Sequence, residues 1–241
     1  MSLKILITND DGINAEGLKY LVEHAKKYGE IVVVAPKYEQ SAKSHAIEIR
    51  HNLELKKVDL FDGVDSYSFD STPADCVRVA RFGLGLNFDL VISGINKGYN
   101  MGEDIWYSGT VAACFEAKST KSKAIAFSVC KSSNEGFKYF DEVMTYILDN
   151  NLLEYGNIYN VNMPKESKGI RITRQGGAIF NTTFTEVEKD MYFAGGSRID
   201  CTNIDEIMFD NICVANNYIS ITPLTADRTD NEAYNKLIKL S

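Results

Sequence analysis

Strand, helix and strand follow one another within the first 35 residues, and that order leaves few folds open. Residues 3–8 (LKILIT) and 30–35 (EIVVVA) are short apolar runs rich in β-branched side chains. Between them Leu18, Leu21, Val22 and Ala25 recur every three or four residues through 15–28, with Gly29 placed to end the helix. Two strands joined by a helix pair in parallel, and a parallel sheet needs helices on both faces. The pattern then repeats. Pro73 opens a helix that Ser71 or Thr72 can cap, with Cys76, Val77, Val79, Ala80 and Leu84 as its apolar face. Residues 88–92 (FDLVI) and 123–129 (KAIAFSV) read as buried strands. A stretch rich in Gly, Asn and Ser (93–109) leads into a small-residue helix (109–118), and 135–149 is an amphipathic helix.

Two regions depart from this rhythm. Residues 45–69 read as short β pieces broken by polar turns. Beyond about 155, strand-like pieces at 157–162, 170–174, 178–184 and 190–194 replace the helix–strand units, and 218–222 (YISIT) returns a last strand. Residues 177–196 form a polar hairpin carrying aromatic residues, suited to contact a second subunit. The expectation is one domain over 1–241: an α/β parallel-sheet core from 1 to about 155, and a C-terminal β-hairpin extension. At roughly 150 residues per domain, 241 residues fit one large domain.

Composition removes several classes of function. Formal charge is 26 − 33 = −7 with no basic run, which argues against binding a nucleic-acid polymer. An anionic ligand would need a local cation or backbone N–H groups to offset the repulsion. Cysteines 76, 114, 130, 201 and 213 are scattered and odd in number, and histidines 24, 45 and 51 lack zinc-ligand spacing. With no leader-like start and no run of about 18 apolar residues, the expected setting is cytoplasmic, with no membrane contact.

Four polar clusters carry the chemistry. Asn9-Asp10-Asp11-Gly12 directly follows the first strand, at the sheet edge where open α/β folds bind ligands. Adjacent carboxylates repel, and an oxygen-only set suits Mg²⁺ or Mn²⁺, although NDDG is also ordinary turn chemistry. Ser93-Gly94-Ile95-Asn96, running on to Asn100-Met101-Gly102, ends the third strand. Ser108-Gly109-Thr110 opens a helix whose free N–H groups and dipole favour a phosphate. Gln40-Ser41-Ala42-Lys43-Ser44-His45 follows the second strand; Ser41 can ligate a metal, and Lys43 or His45 can offset phosphate charge. All four converge on one edge. A dinucleotide-dependent oxidoreductase is excluded because no G-x-G-x-x-G follows the first strand.

Six stretches in order resemble one family, the SurE-type (survival protein E) nucleotidases. They are KILITNDDGINAEGL (4–18), VVVAPKYEQSA (32–42), STPADCVRVA (71–80), DLVISGINKGYNMGEDIWYSGTVAAC (89–114), YNVNMP (159–164) and YISITPL (218–224). The resemblance implies a Rossmann-like three-layer fold and hydrolysis of nucleoside 5′-monophosphates by a metal-activated water. It leaves open whether 3′-monophosphates and short polyphosphate are cleaved as well. It implies one divalent cation per subunit, Mg²⁺ or Mn²⁺, on Asp10, Asp11, Ser41 and Asn96, with Asp10 and Asp11 as the catalytic pair. Substrate phosphate would lie near Asn9, Asn100, Gly102, Ser108, Gly109 and Thr110. A homodimer or homotetramer joined through the 177–196 hairpin is also implied. Asp210 stands where the family carries aspartate, whereas Phe209 and Asn217 replace its usual threonine and glycine. A nucleotide-binding sensor without turnover is the alternative that the same loops would serve.

Overall fold

The computed structural model describes residues 2–201 and 206–240. Six parallel strands form its centre: β1 (Leu3–Thr8), β2 (Gly29–Pro36), β4 (Asp65–Phe69), β5 (Leu90–Lys97), β6 (Lys123–Val129) and β7 (Ile158–Met163). Antiparallel β3 (Leu55–Val58) extends one side, and β11 (Ile219–Leu224) and β8 (Ile170–Ile172) extend the other. The order among the described residues is β3-β4-β2-β1-β5-β6-β7-β11-β8. A separate hairpin pairs β9 (Phe180–Glu188) with β10 (Met191–Arg198).

Helices α1 (Glu16–Ala25), α2 (Pro73–Arg78), α3 (Gly109–Ala117) and α4 (Phe140–Asp149) cover the two faces. Strand alternation sends Ile5, Ile7, Val33, Ile92 and Ile125 to one core, against Leu18 and Leu21 of α1 and Val143 and Ile147 of α4. The opposite faces of the same strands send Leu6, Val34, Val91 and Ala124 to a second core against Cys76 and Val77 of α2 and Val111, Cys114 and Ala117 of α3. These runs are apolar at nearly every position because both faces are buried.

Most expected elements stand where the periodicity put them, with informative exceptions. Gly29 begins β2 rather than ending α1, and the helix stops at Ala25. The strand expected at 88–92 runs on to Lys97, because Asn96 and Lys97 resume pairing with Ser128 and Val129 after an irregularity. Its polar, glycine-containing end hid that continuation. Only 140–149 of the expected 135–149 helix is α-helical; residues 135–139 wind as a tighter 3₁₀ turn. The short helices α5 (Leu152–Tyr155), α6 (Asp210–Ala215) and α7 (Asn231–Leu237) are too brief to leave a periodic signal. Among the described residues, no helix is long and apolar enough to cross a membrane.

Candidate metal and phosphate site

The strand order changes direction between β1 and β5, since β1 continues outward to β2 while β5 continues the other way to β6. Ligand crevices of open α/β sheets form at that switch point, past the carboxyl ends of the strands. Thr8 is paired with Ser93 there, so the residues after β1 and along the end of β5 lie side by side.

Asn9 and Asp10 are nearly sealed, at 1% and 4% exposure. The start of α3 closes over Asp10. Ser108 caps the helix, accepting a hydrogen bond from the Val111 N–H at 3.1 Å. Thr110, fully buried, donates its hydroxyl to Asp10 Oδ1. Gly109 permits the approach: a Cβ there would lie 3.0 Å from Asp10 Cβ and 3.2 Å from Pro73 Cγ. The rest of α3 is built for closeness as well, with Ala112, Ala113, Cys114 and Ala117 buried against β5 and β6.

The loop after β2 arrives from the other side. The Gln40 N–H donates to the Asp10 carbonyl at 2.7 Å, which brings Ser41 to the same edge. Ser41 Oγ itself donates to Glu39 Oε1 at 2.6 Å. Asp11 receives the Lys97 N–H at 3.4 Å, while the Lys97 ammonium turns to Glu16 at 3.5 Å. Asn96 Nδ2 donates to the Gly98 carbonyl at 2.7 Å, leaving Oδ1 as the free coordinating atom of that amide.

The electrostatics of this edge favour a cation. Burial pushes the Asp10 carboxyl up to about 6, opposed by the Thr110 hydroxyl and reinforced by the charge of Asp11. Burial also raises Asp11, the Lys97 N–H opposes it, and Glu39 adds a further upward push. Asn9 donates Nδ2 to the Gly12 carbonyl at 2.9 Å, and its buried Oδ1 has no donor among the described residues; the Ser93 hydroxyl is likewise buried without a partner there. Among the described residues, no cluster of three or more His, Cys, Asp or Glu forms. Any ion here therefore relies on two carboxylates plus neutral oxygens, the donor chemistry of a hard divalent cation.

The expected phosphate residues divide. Ser108, Gly109 and Thr110 surround Asp10. Asn100 and Gly102 sit on the neighbouring loop, with their backbones already engaged. Asn162 Oδ1 accepts from the Asn100 N–H at 2.9 Å, and the Asn160 and Asn162 amides donate to the Asn100 carbonyl at 2.7 and 2.9 Å. The Gly102 N–H goes to Asp210. Sequence reasoning gave no role to Asn160, Asn162, Glu39 or Lys97. The signal for the asparagines was available: they alternate with Tyr159, Val161 and Met163, which enter the core. His45 lies away from Asp10's immediate partners, with Nε2 2.9 Å from Glu116 Oε2. It lines a groove of about 520 Å³ that starts at Ser108 and is flanked by Trp106, Phe115 and Arg228. A larger cavity of about 760 Å³ lies at the opposite sheet edge, near Gly29 and Asp65, far from this constellation.

Comparison with known proteins agrees with this architecture. Residues 5–182 match the family model described as Survival protein SurE. A protein of Clostridium botulinum named 5′-nucleotidase SurE is 38% identical, with 95% of each chain covered. Its namesake in Caldanaerobacter subterraneus subsp. tengcongensis is 39% identical over 97% of this chain and 95% of its own. The crystal structure of SurE protein from Aquifex aeolicus superposes with a TM-score of 0.82 at 33% identity, covering 98% of this chain and 99% of that one. On sequence and on fold alike, this chain belongs to the SurE family.

Proposed function

We propose that the chain is a metal-dependent 5′-nucleotidase, converting nucleoside 5′-monophosphates and water to nucleosides and inorganic phosphate. The observation that carries the reading is the pair Asp10 and Asp11, held at the switch point against the N-terminus of α3. The names of the relatives support the same activity.

Asp10, Asp11, Ser41 and Asn96 would hold one Mg²⁺ or Mn²⁺. Ser41 can do so while still donating its hydroxyl proton to Glu39, because ligation uses an oxygen lone pair. When bound, a divalent cation supplies Lewis acidity toward the phosphoryl oxygens and toward water, and offsets the local negative charge. The chain's own groups do the rest. The N–H groups opening α3 and its dipole would face the phosphate, with Ser108 and Thr110 holding that turn in place. Thr110 also fixes the Asp10 carboxylate in one orientation, so positioning is prepaid rather than acquired during the reaction. Asn9 presents a lone pair in its present orientation, with its amide protons tied to Gly12. The groove running from Ser108 past Trp106 and Phe115 offers aromatic surfaces to a nucleoside.

A homodimer or homotetramer is part of the proposal. Phe184, Val187, Tyr192 and Phe193 on the hairpin are 60–68% exposed, and a two-stranded hairpin is at best marginal alone. Phe184 and Tyr192 lie on one face of the ribbon and Phe193 on the other, and a second copy would cover both. The scattered, odd-numbered cysteines support a reducing, cytoplasmic setting.

The test is phosphate release from a panel of nucleoside 5′- and 3′-monophosphates and short polyphosphate, with Mn²⁺, Mg²⁺ or chelator, for the wild type and Asp11→Asn. Metal-dependent release that the variant loses supports the proposal. Nucleotide binding without release under any metal would instead make the protein a sensor.

A further inference from the structure

Asp210 lies outside the residues the proposed reaction uses, yet it is fully buried and its carboxylate takes three backbone N–H groups, one of them from the candidate site. Its carboxylate takes the Gly102 N–H on both oxygens, at 3.1 and 3.0 Å. Oδ1 also takes the Gly176 N–H at 2.8 Å and the Asn211 N–H at 2.7 Å. Three chain segments therefore meet on one carboxylate: the loop carrying Asn100 and Gly102, the strand of chain leading into the hairpin, and the first turn of α6.

The surroundings tighten the same knot. Gln175 Nε2 donates to the Gly102 carbonyl at 3.0 Å, so both polar groups of the Gly102 peptide face the extension. Gly102 has a φ of +56°, and a Cβ there would lie 2.1 Å from the Gly177 carbonyl oxygen. Met101 is buried against Ile179 at the base of the hairpin and Val214 of α6. From the opposite side, Asn160 and Asn162 of β7 hold the Asn100 peptide as described above. The Asn100–Gly102 loop is thus clamped between β7 and Asp210.

A buried, charged carboxylate costs solvation, and hydrophobic side chains would seal the junction more simply. Three N–H groups, that of Gly102 shared between both oxygens, are what retain the anion. We infer that Asp210 is a positioning residue for the Asn100–Gly102 loop, setting the geometry with which that loop meets substrate phosphate. The inference rests on the nucleotidase reading for its substrate, but not for its geometry. Because the same carboxylate holds Gly176, it couples the seating of the hairpin to the loop.

Asp210→Asn keeps the shape but replaces one acceptor oxygen by an NH₂ facing N–H donors. Loop displacement of about 1 Å can cost up to about 100-fold in turnover, so kcat/KM should fall at least about tenfold well below the melting temperature. The Mn²⁺-induced rise in melting temperature should persist, since Asp10 and Asp11 are untouched. Gln175→Ala removes the bond to the Gly102 carbonyl and also borders the groove beside Ser108, so the loop's share is read with inorganic phosphate, which does not occupy the groove: apparent phosphate Kd should weaken about two- to fivefold without loss of fold. A purely structural Asp210 would lower stability and leave kcat/KM of the folded protein within twofold of wild type. That result, or an unchanged Gln175→Ala, overturns the inference. If wild type shows no turnover, the nucleotidase reading fails separately, and inorganic phosphate becomes the probe. Equal phosphate protection against thermal unfolding in wild type and Asp210→Asn then refutes the positioning role; a weakening of tenfold or more in apparent Kd supports it.

Discussion

Replacing Asp10 by asparagine separates the cost of the buried carboxylate from its use. In the metal-free protein Asp10 titrates near 6 against an ordinary value of 3.8, chiefly because it is buried. The sign follows from proton linkage. Below 3.8 the carboxyl is protonated in both folded and unfolded chains, and it costs nothing. Between 3.8 and about 6 the folded protein holds the proton more tightly, so stability falls as pH rises. Above about 6 the full penalty is present: about 2 units at about 1.4 kcal/mol each, or about 3 kcal/mol. Asparagine keeps the shape and an oxygen for the Thr110 hydroxyl but carries no charge. At pH 8 in chelator, Asp10→Asn should therefore be more stable than wild type by about 3 kcal/mol, roughly 6–12 °C in melting temperature for a chain of this size. The advantage should shrink on acidification and vanish near pH 4. Mn²⁺ should close the gap at about 100 times its Kd, where a ligand adds about 2.7 kcal/mol to wild type, and reverse the order at about 1,000 times Kd, where it adds about 4.1 kcal/mol, while the variant gains little. Differential scanning fluorimetry across pH, with chelator and with Mn²⁺, reads all of this. An Asp10→Asn protein that is no more stable than wild type at pH 8 without metal would refute the claim that charge is stored there for a cation.

Thr110→Val removes the hydroxyl that lowers Asp10, so the acid limb of the kcat/KM profile should move up by about one to two pH units, the worth of a charge-assisted hydrogen bond. An unmoved limb would detach Asp10 from the titration. Gly109→Ala drives a Cβ to 3.0 Å from Asp10 and 3.2 Å from Pro73. It should cost about 1–3 kcal/mol of stability and at least about tenfold in turnover, measured by denaturant titration and phosphate release. A paired Phe184→Ser and Phe193→Ser substitution should reduce the sedimenting mass to that of a single chain while melting temperature at low protein concentration changes little; a retained oligomer would place the interface elsewhere.

Local pattern carried most of the core. The runs at 3–8, 30–35 and 123–129 are apolar on both faces, which only a strand buried in a parallel sheet tolerates, and the helices between them show their periodicity in a handful of residues. That the candidate residues share one edge was legible for the same reason. Asp10, Asn96 and Ser41 each follow or end a strand, and strand ends in a parallel sheet share one edge. What one chain position cannot reveal is which distant peptide it faces. That Gly109 is small because Asp10 lies beneath it, and that Asp210 spends its charge on Gly102 across 108 residues of sequence, are contacts between segments with no local signature. Short helices such as α6 were invisible because one or two turns complete no amphipathic repeat. The order of the strands decided the rest. Residue types at the ends of β1 and β5 set the available chemistry, but only the switch in winding direction put Thr8 beside Ser93 and so opened the crevice in which two adjacent carboxylates can share a cation.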